Sequence, residues 1–251
     1  MDGFLLYSDP FDGSGHTFWR TGLTEPETRE LLIAILGPGM VMLDVGAYVG
    51  QFTLVASRAA RGAMRVFAVE PTPTVFRQLR KNVHANKCIN VTCIEAALSD
   101  RPGKATFYCF PRSHDQNSLR PLQSSTAHSI EVAVETVDGI AEQYHVDRID
   151  LIKVDVEGNE LAVLNGAKRV LQRFKPLVIV EVSRHQRSYG YTGAALKRLF
   201  HDLDYVTFRI QSPACVPYVP CDDEINEGVP NFNILAVSRE HPFYGIVSRS
   251  C

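Results

Sequence analysis

The sequence lacks the marks of a membrane protein, a metal centre or a polyanion binder. No apolar run approaches the roughly 20 residues needed to cross a bilayer. The N-terminal stretch MDGFLLYSDPFDG is briefly apolar, but it has an early Asp2 and no basic region ahead of it, which makes a poor signal peptide. Positive charge is not in surplus either. With 26 Lys and Arg against 28 Asp and Glu, the formal net charge is -2, and no global basic field favours nucleic acid. The six cysteines (Cys88, Cys93, Cys109, Cys215, Cys221 and Cys251) form no C-x-x-C pair and meet no paired histidines, which argues against zinc. Scattered thiols suit a reducing compartment, so the expected location is the cytoplasm, with neither a membrane nor a nucleic acid as partner. The chain also has no internal repeat and no G-x-x-x-x-G-K-[ST] loop, which excludes a P-loop.

What is present is a hydrophobic content of 45% over 251 residues, ample for a core. Apolar runs of strand length recur as VMLDV at 41, RVFAVE at 65, VTCIEA at 91, IDLIKVDV at 149 and PLVIVEV at 176. None alternates cleanly, as expected of strands covered on both faces of a parallel sheet. Helical patterns lie between them. TVFRQLRKNVHAN places Phe76, Leu79 and Val83 on one face, and GNELAVLNGAKRVLQRF does the same with Leu161, Leu164, Ala167 and Leu171. In the second helix Glu157 and Glu160 fall where the helix dipole favours acids, and that structural role is preferred for Glu160. The alternation predicts a doubly wound α/β fold with a mostly parallel, seven-stranded sheet, completed after the helix TGAALKRLFHDL by YVTFRI and FNILAV.

Three regions depart from the alternation. Residues 1–36 read as an N-terminal cap ahead of a domain spanning 37–251, with a helix in TEPETRELLIAIL opened by Thr24 and Glu27 at capping-box spacing. Residues 104–137 read as an inserted β-pair, KATFYCF and SIEVAVETV, joined by a polar linker. That linker holds His114, Asp115, Asn117 and Ser118, which face either substrate or water. A long loop at 211–231 precedes the final strand, and loops of that length tend to be functional.

The first turn, DVGAYVG, decides the ligand class. A dinucleotide fingerprint needs glycine where Asp44 stands, so a diphosphate would meet a carboxylate. An NAD-dependent oxidoreductase is therefore disfavoured. A ligand with a cationic end fits better, and S-adenosylmethionine, with an ammonium and a sulfonium, is one. Gly46 and Gly50 allow close backbone approach. Glu70, ending the second strand just before Pro71, is placed to accept hydrogen bonds from both ribose hydroxyls.

Together, VMLDVGAYVGQFTLVAS, AVEPTPTVFRQLRKNV, EAALSD and IDLIKVDVEGNELAVLNGA resemble the FkbM-type methyltransferases over roughly residues 40 to 183. The resemblance implies a class I, Rossmann-like fold and transfer of a methyl group from S-adenosylmethionine, mostly to hydroxyls of sugars and secondary metabolites. It implies that Asp44, Gly46, Ala47 and Gly50 line the methionine end, with Glu70 and Pro71 at the ribose and Glu95, Ala96 and Ala97 bordering the adenine. Asp155 and Glu157 would face the transferred methyl.

A hydroxyl acceptor must lose a proton, and the candidate bases are Asp155, Glu157, Glu181 and His185. The same carboxylates offer an alternative place for a divalent cation, but no spacing assigns a metal ligand. The expected reaction is O-methylation of a small hydroxylated molecule, and a homodimer stays open as the assembly. Alternatives are a small-molecule N-methyltransferase and a non-catalytic binding module. A nucleic-acid amino-methyltransferase is disfavoured because DVEG stands where an Asn/Asp-Pro-Pro-aromatic turn would be.

Overall fold

The computed structural model describes residues 3–22, 24–59, 62–110, 117–121, 127–211, 215–217 and 231–247. In chain order, α1 (Gly13–Thr21) and α2 (Pro26–Ile35) precede β1 (Val41–Val45), α3 (Gln51–Ala59), β2 (Arg65–Val69), α4 (Pro73–Ala85) and β3 (Val91–Ile94). Then come β4 (Ala97–Leu98), β5 (Gly103–Cys109), β6 (His128–Glu135), α5 (Val137–Gln143), β7 (Leu151–Val154), α6 (Glu160–Asn165) and α7 (Lys168–Phe174). The chain continues through β8 (Leu177–Val182), a 3-10 turn (Arg184–Tyr189), α8 (Gly193–Asp202), β9 (Tyr205–Ile210), β10 (Cys215–Pro217), β11 (Phe232–Ser238) and α9 (Tyr244–Val247).

The seven expected strands form one sheet in the order β3-β2-β1-β7-β8-β11-β9, and the short β10 extends it beyond β9. The strands from β3 to β8 run parallel, whereas β11 is antiparallel to both of its neighbours. Every residue of β1, β7 and β11 is buried, which is why these segments show apolar runs without alternation. Leu32, Phe52 and Val55 of α2 and α3 cover Met42, Val66, Leu151 and Ile179 on one face. On the other, Ile140, Leu164, Leu171 and Phe200 of α5 to α8 cover Leu43, Phe67, Ile152 and Val180. Among the described residues no helix is long and apolar enough to cross a membrane.

Three local expectations are corrected. The capping box at Thr24 does not form: Glu25 occupies the N-cap position of α2 in a left-handed conformation, and no side chain caps the helix. Thr24 is instead engaged by Gln51 at the start of α3, whose Oε1 accepts from the Thr24 N–H at 2.9 Å while its Nε2 donates to the Thr24 carbonyl at 2.8 Å. The single helix expected over 158–174 is two helices. Gly166 passes so close to the chain at Ser99 that a Cβ would sit 2.2 Å from its carbonyl oxygen. The Asp138 carboxylate then starts α7 by accepting from the N–H groups of Arg169 and Val170 at 3.1 and 2.9 Å. Finally, the inserted pair is a three-stranded sheet, β4-β6-β5, in which β4 runs parallel to β6.

The N-terminal segment is tied down by side-chain amides of α4. Asn86 bonds both the N–H and the carbonyl of Leu5, at 2.8 and 2.6 Å. Asn82 does the same for Tyr7, both at 2.9 Å, and its Nδ2 also donates to the Val49 carbonyl at 2.7 Å. The segment is thereby anchored to the turn that follows β1.

Candidate functional site

A cavity of about 300 Å³ lies at the carboxyl ends of β1, β2, β7 and β8, where ligands gather in open parallel sheets. Its first wall is the turn after β1. Gly46 and Ala47 donate their N–H groups to the Val69 carbonyl at 3.0 and 2.9 Å, so the turn is fixed to the end of β2. Gly46 has φ +78°, and a Cβ there would lie 1.8 Å from the Asp155 carbonyl oxygen. Only glycine meets both conditions. Gly46→Ala is expected to destabilise the protein by more than about 3 kcal/mol, measured as the shift in the urea unfolding midpoint.

Glu70 closes the adjacent wall. Its Oε1 accepts from the Thr72 N–H at 2.8 Å and its Oε2 from the Tyr48 N–H at 3.2 Å, leaving lone pairs on both oxygens. Burial pushes its carboxyl up to about 7, against the hydrogen bonds from Thr72 and Tyr48 that favour the charged form. Tyr48 is itself in the left-handed region at φ 50°. Its ring stacks on Phe18 of α1 with centroids 6.5 Å apart, and its hydroxyl bonds Asp12. A non-glycine residue held there is a conformational cost that the surrounding contacts sustain.

The far wall follows β7 and β8. Lys153 is only 1% exposed and donates to Asp155 Oδ2 at 2.8 Å. It lies in register with Asp44 of β1 and over the Phe52 ring at 4.4 Å. Burial alone would lower its ammonium, but Asp155, Glu25 and Asp44 together outweigh that and hold it charged. Glu157 has φ 55°, and its Oε2 meets His185 Nδ1 at 2.5 Å. Asn231 donates to Glu181 Oε1 at 2.9 Å. Burial first, then repulsion from Asp155, Glu157, Glu160 and Glu25, pushes the Glu181 carboxyl well above the ordinary range. Asp155, Glu157 and Glu181 each bring an oxygen within 4.8 Å of the others. Each already has a protein partner, in Lys153, His185 and Asn231 respectively.

Glu160 takes the structural place expected of it, as a hub rather than a surface acid. Its Oε1 accepts from the N–H groups of Gly158 and Val156 at 2.9 and 3.3 Å, and its Oε2 from the Tyr191 hydroxyl and Gln186 Nε2 at 2.7 and 3.2 Å. These bonds shape the DVEG turn. Glu160→Ala would leave the N–H groups of Val156 and Gly158 without this acceptor in a buried place, whereas the Tyr191 hydroxyl keeps the Gly158 carbonyl and Gln186 Nε2 the Glu181 carbonyl. A loss of about 3 to 5 kcal/mol of stability is expected, read by chemical denaturation.

Of the residues singled out in the sequence, Gly46, Ala47, Glu70, Pro71, Ala96, Ala97, Asp155, Glu157, Glu181 and His185 line the cavity. Asp44 and Gly50 do not. Asp44 is buried behind the wall, its Oδ2 accepting from Thr53 Oγ1 at 2.6 Å. Gly50, at φ +96°, gives way to Leu79, whose Cδ1 would lie 2.7 Å from an added Cβ. Glu95 is exposed at the bend between β3 and β4, outside the lining, while Ala96 and Ala97 are buried. Asn117 lines the cavity and is fixed by bonds to the Phe110 N–H and Thr72 Oγ1. Ser118 instead pairs with Tyr108 in the inserted sheet. His114, Asp115 and most of the 211–231 loop lie outside the described residues. Sequence reading missed Glu25, Tyr48 and Lys153. For Lys153 the signal was a charge two residues before Asp155 inside a buried run, which places both on one face of the strand.

A family model described as "Methyltransferase FkbM domain" matches residues 44–207. The hexuronic acid methyltransferase AglP of Haloferax volcanii is 31% identical over 158 residues, 63% of this chain and 62% of its own length. The crystal structure of "Methyltransferase FkbM" from Methylobacillus flagellatus aligns with a TM-score of 0.54 at 19% identity, over 87% of this chain and 46% of that one. An O-methyltransferase from Bacillus cereus, in complex with SAH, aligns with a TM-score of 0.51 at 12% identity, over 94% and 93%. These two structural likenesses speak to the fold alone. The chain spans under two thirds of the length of AglP and under half of the Methylobacillus protein.

Proposed function

Because the chain belongs to the FkbM methyltransferase family, we propose that it transfers the methyl group of S-adenosylmethionine to a hydroxyl of a small molecule, a sugar or a secondary metabolite. The observation that carries this reading is the pairing of Glu70 with the Gly46 turn. A buried carboxylate with lone pairs on both oxygens suits a ribose diol, and Gly46 and Ala47 line the cavity beside it. Pro71, Ala96, Ala97, Leu98 and Phe107 are among the apolar residues of the lining, and such a surface suits an adenine ring. The complex of the Bacillus cereus protein with SAH supports the same donor, and the name of AglP supports a sugar acceptor.

When bound, the donor supplies a methyl carbon on a sulfonium, already a good leaving group. The protein then has to align the acceptor, exclude water and take a proton. His185 and Glu157 are the pair for that last task. Glu157 engages Nδ1, which fixes the ring, and the acceptor proton would go to Nε2. Asp155, held by Lys153, sits between this pair and the Gly46 turn.

The test is calorimetric titration with S-adenosylhomocysteine (SAH), with NAD as control, followed by turnover assays on matched hydroxyl and amine acceptors. Binding of SAH alone and turnover of the hydroxyl acceptors is expected. NAD binding would overturn the donor, and turnover of amines alone would make this an N-methyltransferase.

A further inference from the structure

We propose that Glu25, delivered by the N-terminal segment, joins Asp155 in receiving the α-ammonium of the methyl donor, the first carboxylate held by Asn233 and the second by Lys153. The inference rests on the donor reading above and adds to it the part of the molecule that recognises the donor's amino-acid end. Glu25 lies ahead of the segment matched by the family model, so motif reasoning has no reason to include it.

The placement of Glu25 is specific. The residue is left-handed at φ 47°, although it is neither glycine nor asparagine. Its neighbour Thr24 is fastened to Gln51 by bonds at both its N–H and its carbonyl. Its Oε2 accepts from Asn233 Nδ2 of β11 at 2.5 Å. The backbone is thus clamped on one side and the carboxylate on the other, and Glu25 lines the cavity together with Lys153 and Asp155.

The charges there do not balance. Asp44, Glu25 and Asp155 come from three separate elements and surround one ammonium, and among the described residues that ammonium makes its hydrogen bond to Asp155 alone. One cation among three carboxylates leaves room for a second cation and repels an anion. A primary ammonium would be accepted between these carboxylates, and a phosphate would meet their repulsion. Burial raises the Glu25 carboxyl and Lys153 opposes that, and an arriving ammonium would favour the charged form in the same way. The Gly46 turn joins the two walls, bonded to the Val69 carbonyl beside Glu70 and packed against the Asp155 carbonyl, and Gly46 and Ala47 line the cavity with both.

The experiment compares three ligands on the wild-type chain and on Glu25→Gln. The ligands are SAH, its analogue lacking the α-amino group, and 5′-methylthioadenosine, which lacks the whole amino-acid end. A charged hydrogen bond of this kind is worth about a 10- to 100-fold change in affinity. The wild type is expected to bind SAH tighter than the desamino analogue by that factor. Glu25→Gln should weaken SAH by about tenfold or more while leaving the other two ligands within about twofold. Retained binding of methylthioadenosine reports that the variant is folded and its adenosine site intact. Equal weakening of all three ligands would make Glu25 a scaffold residue and overturn the proposal, as would unchanged SAH affinity. A wild type that binds none of the three would remove the donor reading itself, and this inference with it.

Discussion

Glu70→Ala is expected to weaken SAH binding by about 100- to 1,000-fold, because two charge-assisted hydrogen bonds to the ribose would be lost together. Titration calorimetry at pH 8 measures it directly. The milder Glu70→Gln carries a second, opposite consequence. The Glu70 carboxyl sits at about 7 in the fold against about 4.5 in the unfolded chain. The folded state therefore holds its proton more tightly. The stability contributed by the protonated form is present in full below about pH 4.5 and is lost as pH rises through about 7. The difference corresponds to about 3 kcal/mol given up at pH 8. Removing the charge should recover part of it. Glu70→Gln is expected to unfold at higher denaturant than the wild type at pH 8, to match it near pH 4.5, and to bind SAH poorly throughout. A variant that lost both affinity and stability at pH 8 would show that the Glu70 carboxylate braces the Tyr48 and Thr72 backbone more than burial penalises it.

The second large effect concerns His185, the proposed base. His185→Ala should lower kcat by about 100-fold or more, with SAH affinity kept within about twofold. Glu157→Gln should fall in the same direction, because the ring would lose the carboxylate that orients Nδ1. The double variant should be little worse than His185→Ala alone, since the two act as one unit. Steady-state kinetics with a saturating donor separates this from a binding role. If SAH affinity falls while kcat holds, the pair belongs to the donor site instead.

Much of this arrangement was legible in the sequence. The first turn and the acid at the strand end pointed to Gly46 and Glu70, the family resemblance pointed to Ala96, Ala97, Asp155 and Glu157, and all six line the cavity, each within a few residues of a strand end. The seven strands were readable from the apolar pattern. Glu25 was not, because its place depends on Asn233, 208 residues further along the chain, and no local pattern encodes that meeting. Thr24 and Glu27 had the spacing of a capping box, yet Gln51 competes successfully for Thr24. Lys153 was hidden inside an apolar run whose alternation is masked by burial on both faces. Glu95 misled in the opposite sense: it stands beside two lining alanines but faces solvent at a bend. Asp44 carries the motif but acts from behind the wall, through Thr53 and the neighbouring Lys153.

The position of β11 has a consequence for how the molecule is assembled. Among the described residues it is the last strand of the sheet in chain order, yet it lies between β8 and β9 and pairs with both. Until it arrives, those two strands cannot be joined, and the nascent sheet has an internal gap instead of one more open edge. The final strand is therefore a keystone: it enters a slot prepared by earlier chain, with all seven of its residues buried. Asn231 and Asn233 travel with it, and they hold Glu181 and Glu25. A nascent chain halted before this point would carry the glycine turn and Glu70 but not the finished far wall, so closure of this sheet and readiness of the cavity become one event in synthesis.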